Sequence, residues 1–166
     1  MIAAAEYVGP VYIRVVRSDL PEYEVKQMPQ DYHFEIGKAT VIREGTDVSL
    51  IGSGIMVARC KEAAQILEKQ GISAEVINVS TIKPIDKETI IASATKTKHV
   101  VTAENNTIIG GVGSAVAEVL SENCPCKLGR IGILDRYGHS GIVDELLKLY
   151  NLTTQDIVSK VLEVLQ

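Results

Sequence analysis

Asp47-Val48-Ser49-Leu50-Ile51-Gly52-Ser53-Gly54-Ile55-Met56 decides the fold. Val48 to Ile51 reads as a short buried strand, and Gly52-Ser53-Gly54 as the turn that ends it. From Ile55 to Gln70, the spacing of Met56, Cys60, Ala63 and Leu67 puts them on one face of a helix. Gly71 is a natural helix stop, because it takes up the left-handed backbone at no steric cost.

The same rhythm runs outward toward the C-terminus. Ala74 to Val79 is the next strand, Lys83-Pro84-Ile85-Asp86 leads into a helix through about Ala94, and His99 to Ala103 is a third buried strand. Gly110-Gly111-Val112-Gly113 opens a helix through Leu120, and a strand follows from about Cys126 to Ile133. After the loop Asp135 to Gly141, Ser140 is placed to cap a helix from Gly141 to Tyr150. Thr153 with Asp156 three residues later has the form of a capping box for a last helix running to about Leu165. On the N-terminal side, Phe34 to Arg43 alternates loosely and suits an edge strand closed by Glu44-Gly45-Thr46-Asp47. Strands alternating with helices of these lengths predict an α/β fold: a three-layer αβα sandwich around a mainly parallel, about five-stranded sheet. Right-handed crossovers then bring every strand-to-helix loop to one edge.

The opening, Met1 to Tyr23, reads as the end of one domain, and the remainder as a whole one. Gly9-Pro10 signals a turn, and Val11 to Val16 is β-rich. Together they predict a buried strand delivering Arg17 to its carboxyl end, where open α/β sheets hold their ligands. Glu22 to His33 is polar, contains Pro29 and shows neither period, so it reads as a linker. The expected division is 1–21, 22–33 and 34–166.

Composition narrows the function classes. A chain of 166 residues, 46% hydrophobic and 23% charged, supports a well-buried domain rather than disorder. A net charge of −4 and a pI near 5.4 argue against a nucleic-acid surface, which needs a clustered excess of Lys and Arg. Three cysteines, Cys60, Cys124 and Cys126, are too few and too irregular for a disulfide framework, which fits a reducing cytoplasm. No apolar run approaches the roughly 20 residues that span a bilayer, and the N-terminus lacks an export signal, so no membrane partner is expected.

Each chemical constellation has a bland reading beside it. Gly52-Ser53-Gly54 and Gly110-Gly111-Val112-Gly113 both stand between a strand and a helix, where backbone amides could hold a phosphate. Neither is a dinucleotide fingerprint, since Val57 occupies the third-glycine offset of the first, and tight strand-to-helix packing accounts for both. Cys124-Pro125-Cys126 has metal-like residue types, but one residue between thiols is too short for common zinc sites. His33, His99 and His139 are scattered, with no nucleophile in a recognisable order; His99 reads as structural and His139 as a loop residue. Glu104, after His99-Val100-Val101-Thr102-Ala103, sits at the carboxyl end of a strand. It could position a helix N-terminus as readily as do acid–base work. Read from the residues alone, the chain is an α/β domain without a self-contained active site.

A series of phrases in fixed order goes further. Gly37-Lys38-Ala39, Arg43-Glu44-Gly45-Thr46-Asp47-Val48, Ile82-Lys83-Pro84-Ile85-Asp86, Thr102-Ala103-Glu104-Asn105 with Gly110-Gly111-Val112-Gly113-Ser114, and Asp135-Arg136-Tyr137-Gly138 with Ser140-Gly141 resemble the C-terminal domain of transketolases. The resemblance covers essentially the entire chain. Val16-Arg17-Ser18-Asp19-Leu20-Pro21 is similar to the segment that ends the pyrimidine-binding domain of that family, so 1–21 would be its remnant and Arg17 the ligand of the substrate phosphate. An always-charged, bidentate guanidinium suits that task.

The resemblance implies a two-carbon ketol transfer between sugar phosphates by a complete enzyme that uses thiamine diphosphate and a divalent metal, Mg. Both would be held by regions outside this chain. No catalytic, cofactor-binding or metal-binding residue is therefore expected here. The chain would be a fragment, or a C-terminal section partnered by cofactor-binding domains or a cofactor-binding subunit, within a homo-oligomer. Two alternatives stand beside it: the C-terminal domain of a 2-oxoacid dehydrogenase β-type subunit, and a non-enzymatic interaction or regulatory module.

Overall fold

A computed structural model describes residues 2–16 and 32–166. After a short N-terminal helix α1 (Ile2–Glu6), the strands are β1 (Thr40–Arg43), β2 (Val48–Gly52), β3 (Ala74–Asn78), β4 (His99–Thr107) and β5 (Lys127–Ile133). The helices are α2 (Met56–Glu68), α3 (Lys87–Thr97), α4 (Val112–Asn123), α5 (Val143–Leu149) and α6 (Thr154–Leu165).

All residues of β2 and β3 are buried, which requires cover on both faces of the sheet. The pleat sorts their side chains. Leu50, Val76 and Val101 point into a core with α2 and α6, built on Met56, Leu67, Ile157 and Val161. Ile51, Ile77 and Val100 point the other way, into a second core with Ile90 of α3 and Val116 and Leu120 of α4. Adjacent residues of one strand thus serve opposite layers, giving the three-layer αβα sandwich expected from the alternation.

The sheet has five strands in the order β1-β3-β2-β4-β5. β2 to β5 are parallel, and β1 runs antiparallel along β3 as an edge. From β2 the chain moves outward to β3, then crosses back past β2 to β4. The order reverses between β2 and β4, and such a switch point opens a crevice at the carboxyl ends of the two strands.

Several local expectations are corrected. Val11 to Val16 do not form a buried strand: the segment pairs with no strand among the described residues and is exposed. A β-rich run becomes a strand only where an edge accepts its backbone, and among the described residues none pairs with it. β4 continues four residues past Ala103, because Thr107 pairs with Ile133 beyond a register shift. Helix α5 begins at Val143, with Ile142 at its N-cap and no side-chain cap, so Ser140 lies too early to act. The capping box at α6 does form, with Thr153 and Asp156 bonded reciprocally. Of the linker 22–33, residues 22–31 lie outside the described residues, as does Arg17.

Candidate functional site at the carboxyl edge of the sheet

The carboxyl ends of β2, β4 and β5 gather the residues singled out in the sequence. Glu104, on β4, is 2% exposed. Its two carboxylate oxygens accept the backbone N–H groups of Val112 (3.0 Å) and Gly113 (2.9 Å), the unpaired donors of the first turn of α4. Of the two roles open to it, Glu104 therefore takes the structural one, anchoring a helix N-terminus. Burial pushes its carboxyl pKa up. The two N–H groups and the positive charges of Arg130 and Arg14 oppose that rise without cancelling it.

The glycines of the second cluster make this contact possible. A Cβ on Gly111 would stand 1.9 Å from Glu104 Oε2, inside the carboxylate. A Cβ on Gly113 would meet Thr102 Oγ1 and Arg130 Cδ, both at 2.9 Å. The loop before α4 is tied by Ser114, whose hydroxyl accepts from Gly110 N (3.0 Å) and donates to the Ile108 carbonyl (2.9 Å). Arg130 donates to the same carbonyl at 3.2 Å. In the first cluster, a Cβ on Gly52 would sit 3.2 Å from Cys60 Sγ and from the backbone of Val57, so this glycine lets α2 close onto β2. Close packing explains Gly52, Gly111 and Gly113, and a left-handed backbone explains Gly54 (φ +55) and Gly110 (φ +72).

A residue the sequence did not single out reaches the same edge. Arg14 donates from Nη1 to Asn105 Oδ1 and from Nη2 to the Asn105 carbonyl, each at 3.2 Å. Across β5, the loop Asp135 to Gly141 is held through Tyr150. The Tyr150 hydroxyl donates to the Tyr137 carbonyl at 3.0 Å and lies 2.7 Å from His139 Nδ1. His99 lies at the opposite edge, its Nδ1 near the carbonyls of Asp47 and Thr97, and His33 is exposed. Cys124 and Cys126 are half-buried against the α3–α4 core, and burial pushes the Cys60 thiol up to about 12, leaving it inert.

The described residues offer no fit for thiamine diphosphate and its metal. Among the described residues, no group of three His, Cys, Asp or Glu side chains could hold a metal ion. The N-terminus of α4, where a diphosphate would find donors and a favourable dipole, is filled by the carboxylate of Glu104. No described helix is long and apolar enough to cross a membrane.

Comparison with known proteins agrees with the architecture. The chain is similar to a 6-deoxy-6-sulfo-D-fructose transketolase subunit of Clostridium sp. (strain MSTE9), with 48% identity over 156 residues, 94% of this chain and 47% of the relative. It is 37% identical over 159 residues to an apulose-4-phosphate transketolase subunit of Phocaeicola vulgatus, covering 95% of this chain and 49% of that one. Among solved structures, a split-gene transketolase described as an inactive β4 tetramer superposes with a TM-score of 0.91 at 47% identity. That match covers 98% of this chain and 52% of the other. The chain thus spans about half the length of these three relatives. Residues 37–157 match the family described as transketolase, C-terminal domain, and the chain belongs to that family.

Proposed function

We propose that this chain is the C-terminal part of a thiamine-diphosphate-dependent transketolase that moves a two-carbon ketol unit between sugar phosphates. The observation that carries this reading is the relation to transketolase subunits along both the domain and the segment before it, over 94% to 98% of the chain. Those named relatives favour ketol transfer over a 2-oxoacid dehydrogenase subunit or a binding module. When bound by regions outside this chain, the cofactor supplies the carbon–carbon cleavage. Residues 34–166 serve as scaffold and assembly domain. Residues 1–21 belong to the end of the pyrimidine-binding domain, and the linker 22–33 joins them to residues 34–166. The exposed apolar side chains of Val8 (97%), Tyr12 (90%) and Val15 (74%) support that division, since exposed apolar residues along one short segment suit a surface that further structure covers.

Arg17 takes the terminal anion of the sugar. The two named relatives act on a sulfo-sugar and a sugar phosphate respectively, and both substrates end in a tetrahedral oxyanion that a guanidinium can hold through paired hydrogen bonds. The partner is a cofactor-binding transketolase subunit or domain. The tetramer described for the solved relative supports self-association as well. The free thiols Cys60, Cys124 and Cys126 support a cytoplasmic location.

Mixing the chain with a candidate cofactor-binding subunit and assaying ketol transfer tests the proposal. Restored transfer supports it. With activity restored, Arg17→Ala should raise KM for phosphorylated sugars far more than for unphosphorylated ones, and an equal effect on both would remove Arg17 from the anion site.

A further inference from the structure

Cys124-Pro125-Cys126 lies at the amino edge of the sheet, opposite Glu104, where α4 ends and β5 begins. Cys124 is the C-cap of α4, its N–H bonded to the Leu120 carbonyl at 3.0 Å. Cys126 immediately precedes β5, whose first residue, Lys127, pairs with His99 at the start of β4. Exposure alternates along the stretch: Cys124, Cys126 and Leu128 are half-buried, and Pro125 and Lys127 are exposed. The three half-buried side chains pack against the same α3–α4 core. Such alternation belongs to extended backbone, so both thiols stand on one side of the chain and remain within reach of solvent. Pro125 has its φ fixed by its ring, which holds the spacing. The electrostatics agree that the groups are close: burial and then Cys124 push the Cys126 thiol up, while Lys98, the C-cap of α3, pulls it down.

Spacing and ligand count select the chemistry. Two residues of extended backbone advance about 6.4–6.8 Å, and side chains on one face are separated by a similar distance. A disulfide asks for about 3.5–4.5 Å between Cβ atoms, so closing one here requires the backbone to move. A cation seated between the sulfurs asks for less: with metal–thiolate bonds of about 2.3 Å, the sulfurs stand up to about 4.6 Å apart. Zinc and iron–sulfur clusters take four ligands. Among the described residues, no group of three His, Cys, Asp or Glu side chains is available to hold a metal. Cu(I) is a soft, univalent ion that prefers thiolates and accepts two ligands in line. Two thiolates and Cu(I) leave a single negative charge, and Lys98 is the cation beside it.

We propose that Cys124 and Cys126 form a two-thiolate site for Cu(I) at the junction of α4 and β5. Binding makes two copper–sulfur bonds, releases the two thiol protons to solvent and changes no oxidation state. The site stands apart from the carboxyl edge and does not depend on the ketol-transfer reading.

Cu(I) offered to the reduced, full chain without oxygen, as its coloured bicinchoninate complex, tests the site. Wild type should withdraw one equivalent per chain, and Cys124→Ser and Cys126→Ser should withdraw none. X-ray absorption of the copper-loaded wild type should show two sulfur neighbours, a result that decides the case even where a serine variant fails to fold. Three results overturn the site: no copper withdrawn by wild type, undiminished withdrawal by the double serine variant, or nitrogen and oxygen neighbours in place of sulfur. Exposure to glutathione disulfide supplies the remaining check. Loss of two hydrogens between Cys124 and Cys126 in wild type, with no copper withdrawn, would make the pair a redox couple and overturn the cation site.

Discussion

Replacing Gly111 by alanine is the sharpest probe of the carboxyl edge. Gly111 has φ −94 and ψ −158, an extended conformation open to any residue, so the substitution brings no backbone strain. Its cost comes from the new methyl group, which would stand 1.9 Å from Glu104 Oε2, 2.6 Å from Cδ and 2.8 Å from Oε1. The carboxylate must leave, and the N–H groups of Val112 and Gly113, both on buried residues, lose their acceptor. Each hydrogen bond to a charged group contributes about 1.5–3 kcal/mol. The expelled carboxylate regains hydration, and the alanine narrows the unfolded ensemble by about 0.4–1 kcal/mol in favour of folding. The net loss is about 2–3 kcal/mol.

Glu104→Ala forfeits the same two bonds and should cost about as much. The decisive species is the double variant. With the carboxylate gone, the Gly111 methyl has nothing to displace, so the pair should cost about 2–3 kcal/mol rather than twice that. Urea unfolding reads the four proteins, with the midpoint shifting and the slope unchanged. Additive losses would refute the account of Gly111 as the space the carboxylate occupies.

Carboxyl and lysine sites give further measurable expectations. Asp86 and Glu104 should differ in sign with pH. Burial would raise the Asp86 carboxyl, but the N–H groups of Ala39 and Thr89, the Thr89 hydroxyl and Lys38 outweigh it and hold the pKa below the ordinary 3.8. Its stabilisation is therefore complete above that value and lost as pH falls through the folded pKa, so the deficit of Asp86→Asn should shrink on acidification. Glu104 sits above its ordinary 4.5, so the folded state holds its proton more tightly. As pH falls through the folded pKa toward 4.5, wild type should gain on Glu104→Gln; denaturant midpoints at stepped pH read both trends, and parallel ones would contradict the assignment. Lys96→Met should cost about 2–3 kcal/mol in urea unfolding, because it strands Glu75, 2% exposed, whose carboxylate also accepts from Ser93. Lys38→Met breaks the exposed pair with Glu88 and removes a positive charge near Asp86, and should shift the midpoint far less than Lys96→Met; equal losses would show that burial does not set the difference.

The sheet was legible because each buried strand is bounded by turn chemistry and followed by a helix-period stretch. β2, α2, β3 and α6 all lie within a residue or two of where the pattern puts them. The polar end of β4, Glu104 to Thr107, was not legible, since nothing in its composition favours a strand. Its pairing with β5 holds it extended. The Val11–Val16 run failed in the opposite direction: strand propensity was present without a partner edge among the described residues. At the site, the residue types allowed Glu104 to anchor a helix, but only the fold shows that Gly111 leaves the space for it. Arg14 could have been noticed as a second arginine in the run that carries Arg17. Its partner, 91 residues away, is set by topology.

The central claim is that this chain completes a ketol-transferring enzyme whose cofactor is held elsewhere. Calorimetric titration of thiamine diphosphate with Mg into the purified chain, and into the chain mixed with a cofactor-binding subunit, tests it most directly. The account predicts no binding heat from the chain alone and a stoichiometric, magnesium-dependent isotherm from the mixture. A stoichiometric, magnesium-dependent complex with the chain alone would contradict it.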